Sequence, residues 1–316
     1  MSTIQTSAPA APASPPRRST TSRGRIPFGG LLATARPRQW VKNPAVILLP
    51  LVSLAHWQAT VAARLAWSVA LFTFASITVY TLNDIRDRDN DRRHLRKRER
   101  PIASGQLSLR VACIFALAMA VLTAGLALVH PFLAWPVYIY LLLNLAYSIR
   151  LKHVPLVDAF VVALGFVLRA ELGYIALGIR PSPSLMLAVL TVCLMFVLGK
   201  RRRELTEGSQ LHRPVLSGYS VQLIDYLILI SGTLSVVAYL LLLRSATLAA
   251  HAPAALMALT APCALFALFR YLQLLVVKQD GGDPVRTLFG DLPLIVCAVL
   301  WLVIVICTRI FATPLG

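Results

Sequence analysis

The sequence predicts an all-α, polytopic membrane protein with nine transmembrane helices. Three observations predict it. Of the 316 residues, 57% are hydrophobic and the mean hydropathy is +0.71, too apolar for a soluble domain of this length. The apolar residues fall into nine runs, most near the roughly 20 residues that cross a bilayer core. The basic residues sort to one side. With a cytoplasmic N-terminus, 25 of the 31 Lys and Arg lie on cytoplasmic segments, and four (Arg64, Arg180, Arg244, Arg309) lie on the other side. That is a positive-inside bias, which a missed or invented helix in mid-chain would scramble.

The elements follow in order. Residues 1–25 are rich in Ala, Pro, Ser, Thr and Arg and lack an apolar h-region, so they read as a disordered tail rather than a signal peptide. The basic tail is taken to residue 35 and the membrane domain from 36 to 316. The expected spans are Pro44–Ala63, Leu65–Leu82, Val111–Val129, Pro131–Ile149, Leu156–Gly178, Ser182–Gly199, Val221–Leu243, Ala252–Val277 and Leu292–Ala312. The first is the weakest, because Pro50, His56 and Trp57 interrupt it. Membrane helices tolerate proline where neighbours satisfy the freed backbone groups. Two long charged connections follow the second and sixth spans and place any chemistry on the cytoplasmic side.

A net charge of +18 would suggest nucleic acid in a soluble protein. Here the bases lie between apolar runs, so membrane orientation and anionic ligands account for them and no nucleic-acid partner is expected. The five cysteines (Cys113, Cys193, Cys263, Cys297, Cys307) lie inside apolar runs without CxxC spacing and read as buried hydrophobes. The six histidines show no metal-ligand spacing, which argues against zinc.

The stretch Tyr80–Gly105, YTLNDIRDRDNDRRHLRKRERPIASG, holds five acids and eight bases between apolar runs. Asp84, Asp87 and Asp91 are spaced i, i+3, i+7, which puts three carboxylates on one helical face. Their repulsion is relieved by a divalent cation. Magnesium suits carboxylates combined with a ligand's phosphates and waters, and Asn83 adds an amide beside them. Asp89 points elsewhere and is expected to pair with a neighbouring arginine. Arg92, Arg93, Arg96, Lys97, Arg98 and Arg100 follow, a basic run suited to phosphate oxygens. The competing reading is a helix end laced with surface salt bridges.

NDIRDRDND followed by KRERPIASG closely resembles the first signature of the UbiA superfamily of intramembrane prenyltransferases. YSIRLKH at Tyr147–His153 resembles the tyrosine–lysine element after that family's fourth helix. The resemblance runs from about Arg36 to the C-terminus. It implies a helical bundle around a cavity open to the cytoplasm and laterally to lipid. It also implies magnesium at Asp84, Asp87 and Asp91, with Tyr147 and Lys152 near the donor.

The chain departs from that pattern after the sixth span. Typical members carry a second aspartate cluster there, whereas this loop reads GKRRRELTEGSQLHRPVLSGYS and has no aspartate. Asp280, Asp283 and Asp291 lie one cytoplasmic loop later and do not fill the gap by position. Bases in place of acids suit direct phosphate binding. A donor with a diphosphate and a separate monophosphate, such as phosphoribosyl pyrophosphate, fits that division. RPRQWVKN at Arg36–Asn43, GKRRREL at Gly199–Leu205 and FVLRAELG at Phe166–Gly173 resemble the subfamily that transfers phosphoribose to decaprenyl phosphate, a step toward arabinan precursors of certain cell walls.

Lys200, Arg201 and Glu204 share a helical face and are assigned with Arg202 to the donor; Glu204 is expected to orient a base or join the metal shell. The expected catalytic set is Asp84, Asp87, Lys200 and Arg201. Arg38 and Lys42, at i and i+4, reach the same cavity or anchor to lipid headgroups. Arg169 lies mid-span with Glu171 nearby; an intramembrane arginine is costly unless it faces a cavity or a partner, and a cavity-lining role is favoured. Asp158 is placed just inside the cytoplasmic end of the same span. The expected reaction is magnesium-dependent transfer of 5-phosphoribose to a polyprenyl phosphate at the inner face of the cell membrane. The alternative is transfer of a polyprenyl chain from its diphosphate to an aromatic or other acceptor. Lipid chain length and oligomeric state, a homo-oligomer included, are left open.

Overall fold

The structure is a computed structural model that describes residues 28–47, 49–50, 59–94, 97–207, 214–250, 258–279, 287 and 289–312. Among the described residues every regular element is helical. Three short helices come first: α1 (Phe28–Ala35), α2 (Pro37–Trp40) and α3 (Lys42–Ile47). The long α4 (Ala59–Arg86) leads into α5 (Arg88–Arg93) and α6 (Pro101–Ser104). Then follow α7 (Leu109–Val129), α8 (Trp135–Ile149), α9 (Val157–Ala176), α10 (Pro183–Thr206), α11 (Val221–Ala250), α12 (Thr260–Val276) and α13 (Leu292–Ala312).

Five of these helices (α4, α7, α9, α10, α11) are long and apolar enough to cross a membrane, and α8, α12 and α13 are shorter apolar helices. Expected spans two to nine each find a helix. The first expected span differs. Its last residues, Ala59–Ala63, belong to α4, its start overlaps α3, and residues 48 and 51–58 lie outside the described residues. Arg64, expected in an outer loop, therefore sits on a helix. Phe28–Ala35, assigned above to the tail, is helical, and α1 packs on α4 and α6. The rest of the expected tail lies outside the described residues.

Two helices outrun their apolar segments. At 1.5 Å per residue the 28 residues of α4 span about 42 Å, against a hydrocarbon core of roughly 30 Å. Its apolar run ends at Leu82, but the helix continues through Asn83, Asp84 and Arg86. Likewise α10 continues past Gly199 through Lys200–Thr206, expected above as loop. Hydropathy marks where lipid ends; backbone hydrogen bonding carries both helices further.

The core has two parts joined by α9. One packs Leu71, Phe72, Ala75, Val137, Tyr140, Leu168 and Leu172 from α4, α8 and α9. The other packs Ala159 and Ala163 of α9 against Leu194, Leu198, Ile224, Ile228, Tyr271 and Leu275 from α10 to α12. Hydroxyls inside the spans are satisfied locally: Ser76, Thr78 and Thr81 donate to carbonyls four residues back. Not every cysteine is buried as expected: Cys263 and Cys297 are, whereas Cys113 is exposed on α7.

Arg169 is 5% exposed and fully engaged. Its Nε donates to Asn43 Oδ1 (2.8 Å), Nη1 to the Gly165 carbonyl (2.6 Å), and Nη2 to Ser76 Oγ (3.2 Å) and Tyr140 Oη (3.4 Å). Its guanidinium also lies 4.5 Å from the Phe72 ring centroid and 4.9 Å from that of Tyr140. The expectation that it lines a substrate cavity is corrected: neutral groups that accept its hydrogen bonds, together with aromatic faces, solvate it where it joins α3, α4, α8 and α9. The second mid-span arginine, Arg270, makes a two-pronged ion pair with Asp291 (3.0 and 2.8 Å) that ties α12 to the start of α13.

Candidate active site

The aspartate motif straddles the end of α4 and all of α5. The Asp87 N–H donates to the Asn83 carbonyl and the Asp91 N–H to the Asp87 carbonyl, both at 2.8 Å. Helical hydrogen bonding thus runs through the junction and keeps the acids near one face, as the spacing implies. Asp84 and Asp91 are buried, each 3% exposed, and Asp87 is half-buried. Asp89 is exposed and lies 3.5 Å from Arg92.

The partners of these acids come from four places in the chain. Asp84 Oδ1 accepts from Arg36 Nη2 (2.5 Å) and from Arg100 Nη1 (2.9 Å). The same Arg100 nitrogen donates to Asp91 Oδ2 (2.7 Å), and Lys97 Nζ stands 4.0 Å from Asp91 Oδ1. Lys152 Nζ donates to Asp87 Oδ1 (2.8 Å), and the Ser148 hydroxyl donates to Asn83 Oδ1. The RPIASG segment explains how Arg100 is held. Pro101 opens α6 and Gly105 closes it at φ 83, so one tight turn fixes the residue before the proline. Arg92 Nε donates to the Ala103 carbonyl (3.1 Å) and ties α5 to that turn.

Among the described residues no three His, Cys, Asp or Glu side chains converge on a metal-sized point. The three aspartates therefore do not form one cage. Asp84 and Asp91 share a single guanidinium nitrogen, while Asp87 faces Lys152. The pair Asp84–Asp91 still fits magnesium. It offers all-oxygen donors already gathered around one cation, and magnesium takes one or two carboxylates, with waters and phosphates completing its shell.

A second polar cluster lies where α9 and α11 begin and α10 ends. Asp158, 0% exposed, accepts from Arg201 Nε (2.9 Å) and from Tyr219 Oη (2.7 Å). Arg201 Nη1 donates to Glu204 Oε2 (2.9 Å), and Tyr147 is half-buried near the end of α8. Tyr219 Oη also accepts from the Leu156 N–H (2.6 Å), bracing a residue held at φ 67. Burial and then the Asp158 hydrogen bond raise the Tyr219 phenol above its ordinary value, so it stays a donor. Arg202 Nε donates to Asp225 Oδ1 (2.6 Å) and Nη1 to the Leu275 carbonyl (3.3 Å).

Asp158 is thus where the sequence places it. Arg201 and Arg202, only 3% and 7% exposed, are structural anchors rather than open phosphate ligands, which corrects their assignment. The buried Asp158 of α9 and the partly exposed Asp225 of α11 neutralise them, and sequence spacing did not reveal those partners. Glu204 pairs with Arg201 rather than with the aspartate motif. Lys200, next to them, is exposed. Arg38 is exposed and, with Arg36, lines a cavity of about 470 Å³ beside α1 and α2; Lys42 is half-buried. Lys97 and Arg98 are exposed. Arg96, Asp280 and Asp283 lie outside the described residues. Four residues given no role above join these clusters: Arg36, Ser148, Tyr219 and Asp225. Arg36 alone had a signal, its place in the RPRQWVKN block.

Comparison with known proteins agrees with this architecture. Residues 45–292 match the model of the UbiA prenyltransferase family. The decaprenyl-phosphate phosphoribosyltransferase of Corynebacterium glutamicum is 33% identical over 221 residues, covering 67% of this chain and 66% of that protein. The protein of that name from Mycobacterium tuberculosis is 33% identical over 219 residues, covering 66% of this chain and 72% of its own. The structure of a UbiA homologue from Archaeoglobus fulgidus bound to GPP and Mg2+ superposes with a TM-score of 0.68 at 16% identity, covering 88% of this chain and 99% of that one. With the family model matching most of its length and the fold matching a solved UbiA homologue, the chain belongs to the UbiA prenyltransferase family.

Proposed function

We propose that this protein transfers 5-phosphoribose from phosphoribosyl pyrophosphate to a decaprenyl-type polyprenyl phosphate, with magnesium, at the cytoplasmic face of the cell membrane. The observation that carries the reading is the cluster Asp84–Arg100–Asp91 at the end of a membrane-length helix, where carboxylates and phosphate-binding cations meet. The two decaprenyl-phosphate phosphoribosyltransferases at 33% identity support the choice of substrates.

In this reading Asp84 and Asp91 would hold magnesium, which when bound would supply positive charge to offset that of the departing diphosphate. Lys97, Arg98 and Arg100 bind diphosphate oxygens by charge-assisted hydrogen bonds. Lys152, set by Asp87 and by the corner that Tyr219 braces, lies beside them. Lys200 and Arg38, both exposed, are assigned to the 5-phosphate. The bond between ribose C1 and the diphosphate oxygen breaks, positive charge builds at C1, and an oxygen of the lipid phosphate forms the new bond. That phosphate is already anionic at neutral pH, so no strong general base is required. Enclosure at the lipid boundary limits attack by water.

The second reading, transfer of a prenyl chain from its diphosphate, is favoured by the likeness to a UbiA homologue that binds GPP and Mg2+. One assay separates the two. Purified protein receives magnesium, polyprenyl phosphate and phosphoribosyl pyrophosphate labelled in the ribose. Label in the lipid fraction supports the first reading. No label there, with turnover of a polyprenyl diphosphate and an aromatic acceptor, supports the second.

A further inference from the structure

Arg36 has three features that no role so far uses. It is a non-glycine residue in the left-handed region, at φ 54 and ψ 61, between α1 and α2. Such a conformation is unfavourable for a residue with a Cβ and persists only where its surroundings hold it. Its guanidinium binds Asp84 Oδ1 at 2.5 Å, an oxygen that Arg100 already occupies, and lies 5.2 Å from the Tyr80 ring centroid. Its side chain is 28% exposed, toward the cavity it shares with Arg38.

The charges at this site do not balance. Among the described residues, the carboxylates of Asp84, Asp87 and Asp91 face four cations: Arg36, Lys97, Arg100 and Lys152. One positive charge is in excess. Adding a divalent cation alone would raise the surplus to three. A diphosphate ester alone, with about three negative charges, would reverse the sign. The cation and the diphosphate together would leave the site neutral.

We propose that Arg36 and Arg100 are exchangeable counter-ions. They occupy Asp84 and Asp91 until a diphosphate arrives, then turn to its oxygens and release the carboxylates to the metal. Arg36 is thereby a donor-binding residue, and metal and diphosphate bind with positive coupling. This rests on the diphosphate-donor reading but is common to both donors weighed above. A guanidinium that leaves a carboxylate for a phosphate keeps a charge-assisted bond at each end of the move. The coupling is reciprocal by thermodynamic necessity.

The test is equilibrium binding of Mn2+, followed by electron paramagnetic resonance on the full-length protein in detergent, with and without inorganic pyrophosphate. The wild type should bind Mn2+ at least about 10-fold more tightly when pyrophosphate is present, a typical coupling size. In Arg36→Gln, Mn2+ alone should bind more tightly than to wild type, while pyrophosphate binds more weakly. Arg100→Gln should shift both affinities in the same directions. A purely structural arginine would weaken both ligands or neither. The proposal is overturned if pyrophosphate leaves Mn2+ affinity unchanged, or if both variants bind Mn2+ no better than wild type. Should label transfer to lipid succeed while the Mn2+ result is negative, only the exchange fails. Should transfer fail while the exchange is seen, only the phosphoribosyl donor is wrong.

Discussion

Replacing Arg201 with glutamine separates a structural anchor from a substrate ligand. The side chains of Arg201 and Asp158 are 4% and 0% exposed, and their contact is 2.9 Å. Removing one partner of such a pair strands the other charge, at a cost of about 3–5 kcal/mol. Asp158 would keep its hydrogen bond from Tyr219, and in Asp158→Asn the arginine would keep Glu204. Each single variant should therefore fall at the lower end, about 3 kcal/mol. The double variant Arg201→Gln/Asp158→Asn strands no fully buried charge, because the Glu204 side chain is 22% exposed, and should lose little more than either single, rather than their sum. Unfolding in mixed detergent micelles measures the three losses, and turnover by the folded fraction should show an unchanged donor KM. If Arg201→Gln left stability intact and raised only the donor KM, the anchoring argument would be refuted and the arginine would belong to the donor site.

Three further outcomes follow from the geometry. Asp84→Asn and Asp91→Asn should each abolish magnesium-dependent turnover while the protein still inserts, checked by membrane fractionation and initial rates; near-normal rates in either would remove that residue from the site. Tyr219→Phe should cost about 1–3 kcal/mol, since it leaves one oxygen of the buried Asp158 without its donor and takes the acceptor from the Leu156 N–H. Because the Tyr219 phenol is held above its ordinary value of 10.0, the folded state binds more protons than the unfolded state above about pH 10. Its contribution is complete below that pH and is lost as pH rises further, so the alkaline loss of stability should be shallower in Tyr219→Phe. Gly173→Ala should destabilise the fold, because a Cβ there would lie 2.7 Å from the Ile47 carbonyl, a backbone atom of α3 that cannot swing aside; an unchanged unfolding curve would contradict the close packing of α3 on α9.

Hydropathy placed a helix at expected spans two to nine, five of them long and apolar enough to cross a membrane, because apolar length is what lipid selects. It misplaced their polar ends. α4 and α10 carry their charged residues on continuing helix, and nothing in an apolar-run count distinguishes helix from loop once lipid is left behind. The i, i+3, i+7 spacing implied one aspartate face; the structure gathers Asp84 and Asp91 on Arg100, while Asp87, at the junction of α4 and α5, pairs with Lys152. The partners of those aspartates were not legible. Arg36 lies 48 residues from Asp84, and Lys152 lies 65 from Asp87. The basic run Lys200–Arg203 looked like a phosphate clamp because its neutralising acids, Asp158 and Asp225, lie 43 and 23 residues away on other helices. Arg169 misled for the same reason: it is solvated by Asn43 and Ser76, 126 and 93 residues away, so local sequence showed only an expensive charge.

That the diphosphate end of the donor meets its metal at Asp84–Asp91 can be tested without reference to product. Iron(II) is substituted for magnesium in the presence of phosphoribosyl pyrophosphate, and ascorbate and peroxide are added so that the chain is cut beside the bound ion. Fragments ending near residues 84–91, absent from Asp84→Asn, are the predicted result. Cutting centred on Lys200–Thr206 instead, or the same fragments from wild type and variant, would contradict it.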